Sequence, residues 1–296
     1  MNQIFASIPS PTVSFFDVGP FRVHIYALFI LTGIVLAIWL ANHRLTKRGG
    51  ESGVAIDIAL WAVPFGIVGG RIFHVLTHLG DYFYAGADLT AVFRIWEGGL
   101  AIYGAILFGL FGAWLGARFA GVRFWSFVDA VAPGILLAQA IGRWGNYFNQ
   151  ELFGTPTTLP WGLEIDPNNA AYPVGLPGGV LFHPTFLYES LWSLAGVALL
   201  LTLDSKFDLR WGKMFALYIA FYSVGRLWTE SLRIDPSDII LGLRTNTWSA
   251  LAGVVAAVVI WRVQGRRHPG LETSIYVAGK EPKSSTESAI KVDSEA

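Results

Sequence analysis

Apolar runs of about 17–25 residues recur along the chain, each long enough to cross a hydrocarbon core of about 30 Å as a helix. The pattern predicts seven spans, at roughly 21–41, 54–78, 98–117, 125–141, 184–203, 214–232 and 247–261. The fold class that follows is all-α, a polytopic integral membrane protein of about seven transmembrane helices. Two stretches break the pattern. Residues 142–183 are rich in Gly, Pro, Asn and Thr and too polar to span, so they predict a small external, periplasmic head. Residues 266–296 are polar, with Lys280, Lys283 and the pair Ser284–Ser285, and predict a disordered cytoplasmic tail. The chain thus divides into a transmembrane domain, 1–265, that includes the head, and the tail, 266–296. A chain cut near residue 270 is expected to keep its function, because the tail has little apolar content to pack. No internal repeat stands out, which weakens a transporter reading.

Lysine and arginine orient the spans. Arg44, Lys47 and Arg48 follow the first, Arg118 and Arg123 the third, Lys206, Arg210 and Lys213 the fifth, and Arg262, Arg266 and Arg267 the last. The opposite side carries Arg94, Arg143, Arg233 and Arg244, and the first 20 residues carry neither Lys nor Arg. Basic loops stay in the cytoplasm, so the N-terminus is expected outside and the C-terminus inside a bacterial plasma (inner) membrane. The same lack of basic residues leaves no n-region of a cleaved signal peptide.

Composition sharpens this. The 296 residues are 53% hydrophobic and 14% charged, where a soluble domain carries about 25% charged residues. Formal net charge is zero and says nothing about partners. Cysteine is absent, which excludes disulfides, thiolate metal sites and a thiol nucleophile borne by the chain itself.

Charge at membrane depth costs at least a few kcal/mol, so ionisable residues inside spans carry the chemical information. They are Arg71 in the second span, Arg143 at the end of the fourth, and Arg226 with Glu230 in the sixth; Tyr188–Glu189 lie in the fifth. Singly, each has a plain explanation. Arg226 and Glu230, four residues apart, could neutralise each other on one helix face. Arg143 could snorkel to the interface. Tyr26 and Tyr103 could be packing residues, and His24 and His183 satisfied interface histidines. Together the arginines suit an anion, because a guanidinium binds phosphate through two parallel hydrogen bonds. A phospholipid headgroup is the anion available at that depth. A transferase, an anion or lipid transporter, and a scaffold with structural ion pairs all remain open on these residues.

The densest polar segment is Gly142-Arg143-Trp144-Gly145-Asn146-Tyr147-Phe148-Asn149-Gln150-Glu151-Leu152-Phe153-Gly154. Its pattern, G-R-x-G-N-x-x-N-x-E-x-x-G, resembles the signature of the prolipoprotein diacylglyceryl transferase family. His183-Pro184-Thr185-x-x-Tyr188-Glu189 resembles that family's His-Pro start of the next helix. Tyr222-x-x-Gly225-Arg226-x-x-x-Glu230-x-x-Arg233 resembles its late arginine helix, and Gly69-Gly70-Arg71 and Gly98-Gly99 are similar to its earlier glycine motifs. The likeness covers about 20–262.

The resemblance implies transfer of a diacylglyceryl group from phosphatidylglycerol to the lipobox cysteine of a preprolipoprotein signal peptide. A thioether forms and glycerol-1-phosphate leaves. The implied partners are phosphatidylglycerol, that peptide and the lipid bilayer, with no nucleic acid, no cofactor and no metal. The implied catalytic positions are Arg143, Arg226, Tyr26 and Glu230. The implied substrate-binding positions are Arg143, Asn146, Asn149, Glu151, Gly154, Arg226, Tyr222, Arg233, Tyr103, Gly98 and Gly99. One position departs from the pattern: Tyr103 stands where many members carry a histidine considered as a base. A tyrosine with a pKa of about 10 is a poor base at neutral pH. Either another group takes the thiol proton, or that histidine is not essential in the family.

Overall fold

A computed structural model of the chain describes residues 7–282. The chain is helical, with three small two-stranded antiparallel ribbons. Ribbon β1–β2 (Phe15–Val18 and Phe21–His24) leads into α1 (Ile25–Lys47), followed by α2 (Val54–Thr77) and the short α3 (Leu79–Tyr82). After 3₁₀ turns at Leu89–Phe93 and Ile95–Glu97 come α4 (Ile102–Phe119) and α5 (Phe124–Asn149). Ribbon β3–β4 (Leu163–Glu164 and Leu181–Phe182) precedes α6 (Thr185–Phe207) and α7 (Lys213–Glu230). Ribbon β5–β6 (Ile239–Ile240 and Leu243–Arg244) precedes α8 (Thr245–Arg267).

Among the described residues, six helices are long and apolar enough to cross a bilayer: α1, α2, α4, α5, α6 and α8. The predicted span 214–232 forms α7, but Lys213, Arg226 and Glu230 keep that helix out of the set. Large apolar side chains such as Trp39, Leu60, Leu107 and Val255 point outward from the spans. In lipid this needs no partner, because acyl chains are as apolar as a protein core.

Two boundaries differ from expectation. The predicted span 125–141 runs on as helix to Asn149, so the polar head begins near 150 and not at 142. The polar residues of 142–149 are helical because they share one face of α5 and meet partners there, described below. The predicted tail also differs. Helix α8 continues to Arg267, and residues 272–277 are folded, with Ile275 and Tyr276 buried. Residues 283–296 lie outside the described residues.

The described residues form two compact units, one of residues 7–40 with 129–271, the other of 41–128 with 272–282. In the second unit α2 and α4 approach closely at small residues. A Cβ on Gly104 would stand 2.3 Å from the Gly69 carbonyl oxygen, and one on Gly112 would stand 2.6 Å from that of Trp61. Such contact replaces the hydrophobic drive that lipid removes. The same unit takes in the chain's end: Arg123 N donates to Ile275 O and Val277 N to Gly121 O, each at 2.8 Å, and Glu51 N donates to the Tyr276 hydroxyl at 2.8 Å.

In the first unit, α5 and α1 pack through Gly33 against Ala138 and Gly134 against Ala37. Ala132 and Leu136 of α5, Leu200 of α6, Leu209 of the loop after it and Met214 of α7 form a buried cluster. Asp129, fully buried, starts α7: its carboxylate accepts from Gly212 N at 2.7 Å and Phe215 N at 2.9 Å. That satisfies two of the amides a helix N-terminus leaves unpaired. A second cluster, Phe153, Leu163, Ile165, Phe182 and Phe186, anchors the head to the start of α6.

Candidate functional site

The last two turns of α5 place Arg143, Asn146 and Asn149 three residues apart, hence on one helix face. Arg143 Nη1 donates to Asn146 Oδ1 at 3.4 Å. Asn146 Nδ2 donates to Glu151 Oε1 at 2.9 Å, and Asn149 Nδ2 to the same oxygen at 3.3 Å. Glu151 reaches back because the chain reverses sharply there. Its neighbours Gln150 and Leu152 hold φ of 52° and 59°, the left-handed region that non-glycine residues rarely adopt. Gln150 is held in turn by bonds to Pro11 O (2.9 Å) and from Asp166 N (2.8 Å). Backbone strain of this kind persists only where the surroundings over-determine it, and it clusters at functional sites.

Helix α6 carries Glu189 to this face. Its start is tied to the α5 exit by Thr185 Oγ1 donating to Leu152 O at 2.5 Å. One residue past Glu189, Ser190 Oγ donates to Ala140 O at 2.9 Å. The Glu189 carboxylate lies 2.5 Å from Arg143 Nη2, 3.7 Å from Arg226 Nη1 and 3.9 Å from Arg233 Nη1. One buried carboxylate therefore sits among three guanidiniums from α5, α7 and the turn after α7.

Beyond it the network continues. Arg226 Nη2 lies 2.6 Å from Glu230 Oε2, the expected four-residue pair. The other oxygen of Glu230 accepts from Arg244 Nε at 2.5 Å and Asn246 Nδ2 at 3.2 Å. Arg233 Nε donates to Asp235 Oδ1 at 2.6 Å, and Arg244 Nη2 donates to Asp235 O at 2.8 Å. Burial by itself would lower the Arg233 guanidinium's pKa, but Asp235, Glu189 and Glu230 outweigh it and hold it above its usual value. Burial pushes the Asp235 carboxyl up, and the bond from Arg233 with the charges of Arg233 and Arg244 brings it below its usual range. Among the described residues the ion-paired set joins Arg143, Arg226, Arg233 and Arg244 to Glu189, Glu230 and Asp235. It is one positive charge in excess, with Glu151 reached only through Asn146.

The remaining predicted positions fall around this cluster or away from it. Tyr26 lays its ring on Gly145, where a Cβ would stand 2.2 Å from the ring. Gly154 is pinned between His183 and the strand-like pairing with Arg233; a Cβ there would meet His183 Cβ at 2.8 Å. Tyr222, one turn before Arg226, stacks on Tyr218 and packs on the buried cluster. Gly98, Gly99 and Tyr103 belong to the other unit. There Arg71 Nη1 donates to the carbonyls of Gly98 (2.7 Å) and Gly99 (3.1 Å), Nε to Val92 O (2.7 Å) and Nη2 to Ala91 O (2.5 Å). Arg71 thus organises a loop whose glycines take positive φ, 94° and 73°. Tyr103 lies half-exposed on α4 with Phe73 beside it at 6.4 Å between ring centroids. His183 Nδ1 and Trp161 Nε1 both meet the Tyr188 hydroxyl, at 3.2 and 3.1 Å.

Glu189, Arg244, Asp235 and Asn246 belong to the cluster but not to the predicted set. Glu189 was findable: a carboxylate inside an apolar span needs a cationic partner. Arg244, Asp235 and Asn246 sit in a loop and a helix start, where charge is ordinary, and nothing in their spacing points to Glu230.

The model of the family described as prolipoprotein diacylglyceryl transferase matches residues 13–263. A phosphatidylglycerol–prolipoprotein diacylglyceryl transferase of Leifsonia xyli is 52% identical over 292 residues, 95% of this chain and 87% of its own. Proteins of the same name are 50% identical in Streptomyces coelicolor, over 93% of this chain and 86% of theirs, and in Paenarthrobacter aurescens, over 90% and 86%.

Proposed function

The chain belongs to the prolipoprotein diacylglyceryl transferase family, and we propose that its transfer of a diacylglyceryl group from phosphatidylglycerol to prolipoprotein runs on Arg143, Arg226 and Arg233. The protein is a multi-pass membrane transferase of lipoprotein biosynthesis. The observation that carries the site reading is the convergence of three guanidiniums on the one carboxylate of Glu189. Guanidiniums grouped around one anion present the paired donors that bind phosphate.

In this reading the phosphate of phosphatidylglycerol is held by the arginines. The lipobox cysteine of the preprolipoprotein supplies the nucleophile, so the absence of cysteine in the chain is no obstacle. The sulfur attacks the glyceryl carbon that bears the phosphate. A C–S bond forms, the C–O bond breaks, and its electron pair goes to the phosphate oxygen. Glycerol-1-phosphate leaves and the thiol proton passes to a base. Charge grows on the phosphate oxygens as the C–O bond lengthens. Fixed cations in a low-dielectric site favour that state over the ground state.

Glu230 keeps Arg226 aimed. Asn146, Asn149 and Glu151 shape the wall beside Arg143, with Gly154 keeping the strand near Arg233 close and Tyr26 lining the α5 face. Tyr222 backs Arg226 from one turn earlier. Gly98 and Gly99 form the loop that Arg71 holds in the other unit, and Tyr103 does not serve as the base. The basic loops support an N-terminus outside and a C-terminus in the cytoplasm, and a reporter fused after Lys213 is expected to read cytoplasmic. A periplasmic signal there overturns that topology.

The test of the site is direct. Purified protein is incubated with phosphatidylglycerol and a lipobox peptide, and the thioether product is read by mass. Arg143→Lys and Arg226→Lys are run alongside. Product from wild type with near-normal product from both variants overturns the arginine clamp.

A further inference from the structure

We propose that Glu189 is an exchangeable internal anion: its carboxylate fills the three-arginine site when phosphate is absent and gives up Arg143 when phosphate enters. This rests on the reading of Arg143, Arg226 and Arg233 as the phosphate site. Three guanidiniums this close repel one another, and the low dielectric makes that repulsion worse. They hold their shape because Glu189 lies 2.5 Å from Arg143 and within 4 Å of the other two. An incoming phosphate must take that position, since it binds the same guanidinium edges.

Charge makes the exchange possible at membrane depth. A phosphodiester carries one negative charge, as a carboxylate does. The ion-paired set is one positive charge in excess, so an entering phosphodiester brings it to neutrality, while the carboxylate that leaves Arg143 stays beside Arg226 and Arg233 and is not buried alone. Arg226 and Arg233 stay in place during the exchange because each has a second carboxylate of its own, Glu230 at 2.6 Å and Asp235 at 2.6 Å. Among the described residues Arg143 has no second carboxylate in direct contact; its other contact is the neutral Asn146. Arg143 is therefore the guanidinium that changes partner.

The exchange also acts on the product. Glycerol phosphate is a monoester, with a second ionisation near pH 6 and up to two negative charges at neutral pH. Three arginines alone would hold it tightly. A resident carboxylate that returns to Arg143 competes with it and speeds release.

The experiment measures inhibition of diacylglyceryl transfer by glycerol phosphate, and KM and kcat for phosphatidylglycerol in mixed micelles. Wild type is compared with Glu189→Gln, which keeps shape and loses charge, and Glu189→Asp, which keeps charge and shortens reach. Glu189→Gln is expected to bind glycerol phosphate about tenfold more tightly, in the usual range for coupling between two groups. Its KM for phosphatidylglycerol falls, and kcat falls with it as release slows. Glu189→Asp lies between the two. Inhibition unchanged or weakened in Glu189→Gln, or a loss of kcat with unchanged KM, overturns the exchange. If Glu189→Gln does not fold, Glu189→Asp decides by the same inhibition measurement, and a wild-type value there overturns it. A different pattern marks failure of the underlying site: glycerol phosphate does not inhibit wild type, and Arg143→Lys transfers normally.

Discussion

Arg244 donates to Glu230 Oε1 at 2.5 Å, on the opposite side of the carboxylate from the oxygen that faces Arg226. The Arg226–Glu230 pair is thus not a closed couple of neighbouring turns. It is the middle of a chain that runs from Glu189 through Arg226 and Glu230 to Arg244. Removing Arg244 leaves a buried carboxylate short of one cation, and breaking a buried pair costs about 3–5 kcal/mol. Asn246 stays bonded to the same oxygen and Arg244 is partly exposed, so about 2 kcal/mol is the expectation. Arg244→Met is expected to lower kcat for transfer more than tenfold, with Arg244→Lys intermediate. Steady-state kinetics at matched protein stability checks this, and wild-type kinetics for Arg244→Met would remove Arg244 from the site.

Arg143→Lys and Arg226→Lys are each expected to lose activity by about a hundredfold to a thousandfold, or roughly 3–4 kcal/mol, the usual effect of removing one donor aimed at a developing anion. Lysine keeps the charge but loses the planar fork. Tyr103→Phe is expected to be milder than either. If Arg226 only neutralised Glu230, a lysine four residues away would do as well. Product formation by the Arg226→Lys variant separates the two.

Asp129 caps α7, the helix that carries Arg226. Asp129→Ala is expected to destabilise the protein by about 1–2 kcal/mol, as other cap removals do, and Asp129→Asn by less, since the amide oxygen still accepts one of the two bonds while its NH2 loses the other. Thermal unfolding in detergent measures the difference. An equal shift for both variants would show that the carboxylate's charge, and not its geometry, starts the helix.

A chain ending at residue 270 is expected to unfold well below the temperature of one ending at 282. The shorter chain loses Ile275 and Tyr276, whose burial is worth about 1.5–3 kcal/mol per large apolar side chain. It also loses the pairing with residues 121–123. Limited proteolysis of the two truncations in detergent reads this out. Equal resistance would restore the idea that everything past 270 is dispensable.

The spans were legible because a lipid-crossing helix needs a long apolar run, and six of the seven predicted runs became helices of that kind. The signature around Arg143 was legible as a density of amide and charge, and its residues meet as expected in Arg143–Asn146–Glu151. What stayed hidden depends on contacts between distant segments. Glu189 lies 46 residues from Arg143, and no local spacing links them. Arg71 reads as an ion ligand by its depth, but it spends its donors on four backbone carbonyls, a use that leaves no trace in side-chain chemistry. The tail misleads for the opposite reason: its composition is polar, while two apolar residues and a few backbone hydrogen bonds suffice to fasten it.

That fastening has a consequence in time. The ribosome makes the loops around Glu51 and Arg123 first, and their closing partners, Ile275 and Tyr276, only after α5 to α8 have been made. Domains ordinarily fold from the N-terminal side as synthesis proceeds. Here one of the two units cannot finish until translation has passed α8 and reached residue 277. A transcript broken before codon 275 yields a product with every apolar span inserted and every arginine of the cluster encoded, yet with one unit left unlatched. The cell's proteases meet that product as an incomplete fold, so truncations there act first through protein turnover.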